Sequence, residues 1–313
     1  MKPSSVLPKA ATAATITRRL AVRHETLYEY DTPVEVAHHS AWLRPRDTAW
    51  QRVLEWHMSI QPEPECAVQE SLDAFGNWRH GFSHARVHDR LEVVSAFEVD
   101  VTAPVAADEA FAGVSWEEAA RALRYRAGMQ QPEAVAFVLG SHFAPQDERL
   151  AAFGLGLFTP DRPLAEVARA LMGRVHERMH YKPLSTDVAT SALDALAQGQ
   201  GVCQDFAHLM IGVLRSHGLA ARYVSGYLLT QPPPGQPRLV GADASHAWVA
   251  VWCPQSGWLA LDPTNDVAAG LDHVTLAWGR DYADVAPLRG VIRGGGAALP
   301  SVAVSVTEVG DAG

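Results

Sequence analysis

The segment from Gly199 to Phe206 reads GQGVCQDF, in which two glycines shape the approach to Cys203 at the predicted start of an amphipathic helix. The apolar stripe of that helix consists of Val202, Phe206, Leu209, Met210, Val213 and Leu214, and Gly218 ends it. The N–H groups and partial positive charge at a helix N-terminus stabilise a thiolate and can bind an oxyanion. Asp205 lies in the first turn, and its charge opposes a thiolate. Cys203 is therefore a candidate nucleophile that requires a base.

The candidate base is His246, which opens the segment HAWVAVW, and the candidate orienting group is Asp262, which closes the segment GWLALD. If the two segments form an antiparallel hairpin with Trp252 opposite Trp258, then Trp248 faces Asp262. His246 becomes the diagonal neighbour of Asp262 on the same face, within reach of a hydrogen bond. A register slip of one residue would place the two on opposite faces. The pattern predicts a Cys-His-Asp arrangement for nucleophilic catalysis.

The first hundred residues show the alternation of β-strands. Between residues 91 and 101, one face carries the apolar residues Leu91, Val93, Phe97, Val99 and Val101. Residues 106–160 form a mixed connector with one predicted helix, which a capping box of Ser115 and Glu118 opens. The alternation predicts a β-rich N-terminal domain at residues 18–105.

The chain after residue 160 has helical periodicity first and strand patterns later. The apolar side of the first helix is formed by Leu164, Val167, Leu171, Val175 and Met179. Strands are predicted at 222–229, 246–252 and 258–261, with a proline-rich loop at 231–237. Helices followed by a run of strands predict an α+β fold. We assign residues 161–313 to a catalytic domain.

Composition excludes several classes of protein. The 313 residues are 48% hydrophobic and 19% charged, with a net charge of −9, which argues against nucleic-acid and anionic-membrane partners. No apolar run reaches the roughly 18 residues that span a bilayer. The first residues are interpreted as a frayed terminus rather than a signal peptide. The three cysteines, Cys66, Cys203 and Cys253, are widely spaced and form no CxxC pair. This spacing predicts that the protein is located in the reducing cytoplasm. Cys66 and Cys253 are interpreted as structural residues.

Three motifs carry a family resemblance: GVCQDFAHL at 201–209, HAWV at 246–249 and GWLALDPT at 257–264. In this order they resemble the transglutaminase-like superfamily of cysteine enzymes, over roughly residues 164–285. The front region and the segment GRDYADVAP at 279–287 are similar to bacterial members with a β-rich N-terminal domain. The resemblance implies a papain-like core in which a nucleophile helix packs on an antiparallel sheet, without a cofactor or metal.

The resemblance also implies a role for each site residue: Cys203 as nucleophile, His246 as base and Asp262 as the group that orients the base. An aromatic donor upstream of the cysteine helps to hold the oxyanion, and Tyr181 is its closest match. Further candidates for oxyanion or substrate contact are Gln204 and Trp248. Ala250 stands where many members carry Glu, which bears on substrate preference.

The activity expected from these residues is acyl transfer from a peptide or isopeptide amide through a thioester on Cys203. The sequence shows no feature that would exclude water in favour of an amine, so we expect hydrolysis rather than cross-linking. The alternative from another class is a non-catalytic protein that binds peptides in the same cleft.

A zinc metallopeptidase is a third interpretation, because residues 176–180 read HERMH and satisfy H-E-x-x-H. In this pattern His176 and His180 would bind zinc on one helix face while Glu177 acts as base. Both histidines fall on the polar flank of the helix. The third zinc ligand that known H-E-x-x-H peptidases carry further along the chain has no match at the expected position. Asp187 or Asp194 could supply one. Surface histidines are the favoured interpretation.

Overall fold

The computed structural model describes residues 16–102, 113–128, 132–183, 190–230 and 245–310. The helices are α1 (Trp116–Ala122), α2 (Glu148–Phe153), α3 (Leu164–Arg178), α4 (Ala192–Gln198), α5 (Cys203–Ser216) and α6 (Tyr282–Val285), and a 3-10 helix spans Glu133–Phe137. The strands of the first half are β1 (Thr17–Ala41), β2 (Gln51–Gln61), β3 (Gln69–Leu72), β4 (Trp78–His84) and β5 (His88–Thr102). The later strands are β6 (His180–Tyr181), β7 (Gln200–Gly201), β8 (Ala221–Leu228), β9 (Ser245–Cys253), β10 (Gly257–Asp262), β11 (Val267–Ala268), β12 (His273–Gly279), β13 (Leu288–Gly294) and β14 (Ser301–Glu308).

The N-terminal sheet is built around β1, whose two halves have different partners. The half that begins at Thr17 pairs with β5 and β14, and the half that ends at Ala41 pairs with β4 and β13. The register shifts between Glu29 and Val34, where the sheet changes partners. The apolar residues predicted for one face of β5 are all buried: Leu91, Val93, Phe97, Val99 and Val101. The predicted β-rich N-terminal region is confirmed.

The last two strands belong to this first sheet, although the predicted division placed them with the catalytic domain at 161–313. Strands β13 and β14 both pair with β1. Val304 and Val306 pack in one buried cluster with Leu20 and Val22 of β1. Alternating residues identify a strand but not its partner, because the pairing spans almost the whole chain. The proline-rich segment at 231–237 lies outside the described residues.

The second sheet has five antiparallel strands in the order β11-β10-β9-β8-β12. One buried cluster joins this sheet to helix α5 through Phe206, Leu209, Met210, Val213, Ala247, Val249 and Val251. Both predicted helices are present, and the capping box of Ser115 and Glu118 opens α1 as expected. The predicted α+β fold, with a helix on an antiparallel sheet, is confirmed. Within the described ranges, no helix is both long and apolar enough to cross a membrane.

Two side-chain amides connect the sheets at the outer edge of β12. Gln51 donates from Nε2 to the carbonyl of Thr275 and accepts at Oε1 from the Thr275 N–H, both at 2.8 Å. Asn77 makes the same pair of bonds with Trp278, at 2.8 and 3.0 Å. These amides satisfy backbone groups that an edge strand would otherwise leave without a partner. They hold the N-terminal sheet against the sheet that carries the site.

Candidate active site

The approach to Cys203 is shaped by two glycines. Gly199 ends α4 with a φ of 67°, in the left-handed region that favours glycine. At Gly201, an added Cβ would lie 2.5 Å from Oδ2 of Asp205. That oxygen accepts a hydrogen bond of 2.8 Å from the backbone N–H of Val202. The carboxylate whose charge opposes a thiolate therefore also fixes the backbone at the start of α5.

Replacing Gly201 with alanine is expected to destabilise the protein by about 1 to 3 kcal/mol, the usual cost of overpacking. The new methyl group would push Asp205 away from the helix start. Urea unfolding of Gly201→Ala measures the loss. Gly113→Ala is the matched control, because a Cβ there meets nothing within 4 Å. Equal stability of the two variants would contradict the prediction.

Tyr181 lies beside the nucleophile, in a two-strand parallel pairing that no sequence period predicted. It is the register partner of Gly201, and the flanking N–H groups of His180 and Lys182 each donate to the glycine loop at 2.9 Å. Partial burial raises the pKa of Tyr181, and the neighbouring Cys203 thiol adds to the shift. The side chain is 54% exposed. Its role in holding an oxyanion stays a prediction.

Gln204 and Trp248, the other two predicted contact residues, differ in position. Gln204 follows Cys203 in the first turn of α5 and is buried. Trp248 is 2% exposed, and its ring packs 6.1 Å from the ring of His246 and 5.3 Å from the ring of His273. The indole thus packs beside both imidazoles, whose own ring centres lie 6.2 Å apart. Contact of either residue with substrate stays a prediction.

The hairpin of β9 and β10 has the expected register, with Trp252 opposite Trp258. As a result, Nε2 of His246 lies 2.7 Å from Oδ2 of Asp262. The Cys203 thiol lies beside the same imidazole and contributes to its raised pKa. The three predicted residues are therefore brought together at one site. Their catalytic roles stay predictions.

The three groups stabilise one another's charged forms. Burial lowers the pKa of His246, but hydrogen bonds and charge from Asp262 and Cys203 outweigh it and raise that pKa to about 9. Burial raises the pKa of Asp262, but hydrogen bonds from His246, His273 and Asn265 outweigh burial and hold it below its usual range. An imidazolium beside the thiol favours the thiolate form. The geometry suits attack by sulfur on an electrophilic carbon.

Asp262 has further partners that sequence analysis missed. Oδ1 accepts hydrogen bonds from the backbone N–H groups of Thr264 at 3.0 Å and Asn265 at 3.3 Å. Oδ2 also accepts from Nδ2 of Asn265 at 2.7 Å. The turn after Asp262-Pro263 was a local signal for these contacts, because an aspartate often accepts from the backbone two residues later.

His273 approaches Asp262 from β12, and no local pattern could have identified it. Its Nε2 lies 3.2 Å from Oδ2 of Asp262, and its Nδ1 accepts from the N–H of Gly270 at 3.2 Å. Because Nδ1 accepts, the ring proton is on Nε2 and donates to the carboxylate. Asp262 is thus oriented by two imidazoles at once.

Metal-ligand atoms of His246, Asp262 and His273 lie within 4.8 Å of one another, and this is the only such group in the described part of the chain. The nitrogen and oxygen atoms concerned are hydrogen-bonded to each other. A metal ion would have to replace those bonds.

The H-E-x-x-H segment does not form the helical pair that zinc binding requires. Helix α3 ends at Arg178, and His180 lies in β6. His176, Glu177 and His180 are all exposed. Nδ1 of His176 donates to the carbonyl of Thr264 at 3.0 Å. The favoured interpretation, surface histidines, agrees with this placement.

Comparison with known proteins shows the family. Residues 154–263 match the transglutaminase-like superfamily, and residues 20–100 match the bacterial transglutaminase-like N-terminal region. The chain belongs to the transglutaminase-like superfamily. An uncharacterized protein of Mycobacterium tuberculosis is 39% identical over 282 residues, which are 88% of this chain and 88% of that protein.

Two other similarities are informative. A protein-glutamine gamma-glutamyltransferase of Pseudomonas aeruginosa is 39% identical over 136 residues, 41% of this chain and 20% of that protein. The crystal structure of a proposed cysteine protease from Cytophaga hutchinsonii has a TM-score of 0.73 at 18% identity, and the match covers 94% of this chain and 91% of that one. The second similarity shows that both sheets and their arrangement recur in another bacterial protein.

Proposed function

We propose that the protein is a cysteine-dependent acyl-transfer enzyme that acts on peptide or isopeptide amides through a thioester. Cys203 is the nucleophile, His246 the base and Asp262 the group that orients the base. The observation that carries the proposal is the 2.7 Å contact between His246 and Asp262, with the Cys203 thiol beside the same imidazole at the start of α5. A cytoplasmic location, inferred from three widely spaced cysteines, is part of the same proposal.

The proposed reaction begins with the Cys203 thiolate and the His246 imidazolium. Sulfur attacks the amide carbonyl, a C–S bond forms, and N–H groups at the helix N-terminus stabilise the oxyanion. His246 donates its proton to the leaving nitrogen as the C–N bond breaks, which leaves a thioester. Water or an amine then attacks the thioester carbon, His246 accepts the proton of that nucleophile, and the C–S bond breaks to release the product and regenerate the Cys203 thiolate. Asp262 stabilises the imidazolium throughout.

We favour water as the acceptor, because no residue of the site is seen to select an amine over water. Transfer to an amine is the second candidate. It is favoured by the 39% identity over 136 residues with the Pseudomonas aeruginosa protein-glutamine gamma-glutamyltransferase. Both candidates use the same thioester and differ only in the second step.

A product-partition experiment separates the candidates. Peptides from a casein digest are incubated with the protein in H₂¹⁸O that contains dansylcadaverine, and the products are analysed by mass spectrometry. We expect carboxylates labelled with ¹⁸O to exceed amine adducts by at least ten to one. Mainly amine adducts would establish transamidation instead of hydrolysis. If the products equal those of Cys203→Ala, a non-catalytic peptide-binding protein is the better description.

A further inference from the structure

A large cavity lies between the two sheets, away from the nucleophile. Its volume is about 1230 Å³, and it is lined by residues of both sheets, among them Gln51, which also binds the edge of β12. Its aromatic walls are Trp50, Phe75, Phe137, Trp248, Trp258 and Trp278. Cys203 and His246 are not among the lining residues. The cavity is therefore distinct from the thiol site.

Two arginines are stacked in a row within this cavity. The guanidinium of Arg222 lies between Trp258 and Trp278, 4.1 and 3.6 Å from the ring centres. The guanidinium of Arg46 lies 3.3 Å from the centre of the Trp278 ring. Contact with the ring faces holds each guanidinium in place at the cavity wall. Both arginines therefore line the cavity with positive charge.

Neither arginine forms an ion pair with an acidic side chain in the described part of the chain, although the nearby charge of Asp73 partly offsets the effect of burial on the pKa of Arg46. Arg46 donates from Nη1 to Phe75 and Asn77, but Nε of Arg46 and Nε of Arg222 are buried without a hydrogen-bond partner there. Among the described residues that line the cavity, Glu133 is the single carboxylate. It forms no ion pair with either arginine. Desolvated guanidinium groups without an ion pair are costly, and an anionic ligand in the cavity would supply the missing negative charge.

The pKa values of the two arginines also indicate that the cavity favours an anion. Burial lowers the pKa of Arg222, and the positive charge of Arg46 lowers it further. Burial likewise lowers the pKa of Arg46, to about 10. Two like charges that disfavour each other in a desolvated space create a positive potential. An oxyanion in the cavity near both guanidinium groups would relieve their repulsion.

We propose that this cavity binds a small ligand that combines an oxyanion, either a carboxylate or a phosphate, with a flat aromatic or apolar body. Arg222 and Arg46 bind the oxyanion, and the tryptophan rings contact the body. The volume accommodates a ligand of ordinary metabolite size. His273 lines the cavity with the ring whose Nε2 binds Asp262, so the ligand lies one side chain away from the proposed catalytic carboxylate.

Matched probes test the proposal on the unmodified protein. Isothermal titration calorimetry compares 1-naphthaleneacetate and 1-naphthyl phosphate with the neutral 1-naphthaleneacetamide. We expect at least one anion to bind ten-fold or more tightly than the amide, since the rings are the same. The tighter of the two anions identifies the carboxylate or the phosphate as the favoured group. If neither anion binds more tightly than the amide, the proposal is wrong.

Variants locate the binding. Arg222→Met is expected to reduce the affinity for the anion at least ten-fold. Arg289→Met is the matched control, because it removes an exposed guanidinium that stacks 4.7 Å from the ring centre of Trp42, outside the cavity. If Arg222→Met does not fold by circular dichroism, Arg46→Met carries the same expectation. An equal loss in Arg289→Met would show general charge attraction and overturn the proposal. Binding is measured without turnover, so this test is independent of the proposed enzyme activity.

Discussion

At pH 6, iodoacetamide is expected to alkylate Cys203 about 100-fold faster than Cys66. An ordinary thiol with a pKa near 8.5 is only about 0.3% thiolate at that pH. Beside Cys203, the pKa of His246 is raised to about 9, so the imidazolium persists at pH 6 and favours the thiolate. Full ionisation would give a rate ratio of about 300, which the lower intrinsic nucleophilicity of a stabilised thiolate reduces. Peptide mass spectrometry after a limiting dose measures the ratio.

The chain supplies its own controls for this experiment. Cys66 is exposed and Cys253 is buried, so Cys66 reports ordinary thiol reactivity and Cys253 should react more slowly than either other cysteine. His246→Ala removes the imidazolium and should bring the rate at Cys203 close to that at Cys66. Equal slow labelling of Cys203 and Cys66 in the unmodified protein, with an onset near pH 8.5, would exclude an activated nucleophile.

The three residues of the proposed triad could be predicted from sequence because the position of each one is set by local structure. Cys203 is positioned by a glycine loop and a helix start that are adjacent in the chain. The contact between His246 and Asp262 follows from one short hairpin, whose register is readable from the opposed Trp252 and Trp258. Contacts between residues that are close in sequence and share one structural element can be predicted without knowing the tertiary fold.

Apart from the local turn contacts of Asp262, the contacts that sequence analysis missed depend on distant parts of the chain. His273 reaches Asp262 only because β12 lies in the same sheet, at the far side of β8. Strands β13 and β14 join β1 across almost the full length of the chain. Arg46, from the connection between β1 and β2, and Arg222, from β8, meet at Trp278. Alternation reveals that a strand exists, but the choice of partner strand depends on the whole fold.

Asp262→Asn is expected to reduce the rate of thioester formation by about 10³- to 10⁴-fold, as for other triads that lose their carboxylate. The carboxylate accepts from His246, His273 and Asn265, and an amide would present a donor to one of them. The charge of Asp262 also contributes to the raised pKa of His246. Rapid-quench kinetics with a peptide substrate from the partition experiment measures the rate.

The pH profile of Asp262→Asn distinguishes an electrostatic role from a merely structural one. The imidazolium that protonates the leaving nitrogen is present below its pKa of about 9 and is lost as the pH rises through that value. Without the carboxylate this pKa falls, so the alkaline limb of the profile should move to lower pH. Asp100→Asn is the matched control, because Asp100 pairs with Arg19 in the N-terminal sheet, and it should leave the profile unchanged.

Combining substitutions tests whether the residues act as one unit. Cys203→Ala should abolish turnover, because no other group at the site can form the thioester. Adding Asp262→Asn to Cys203→Ala should cost little more, since the carboxylate acts only through His246 and the nucleophile. An Asp262→Asn protein that acylates at the normal rate with an unshifted alkaline limb would remove Asp262 from the reaction and leave a dyad of Cys203 and His246. The 2.7 Å contact between His246 and Asp262 would then serve only to hold β9 and β10 together.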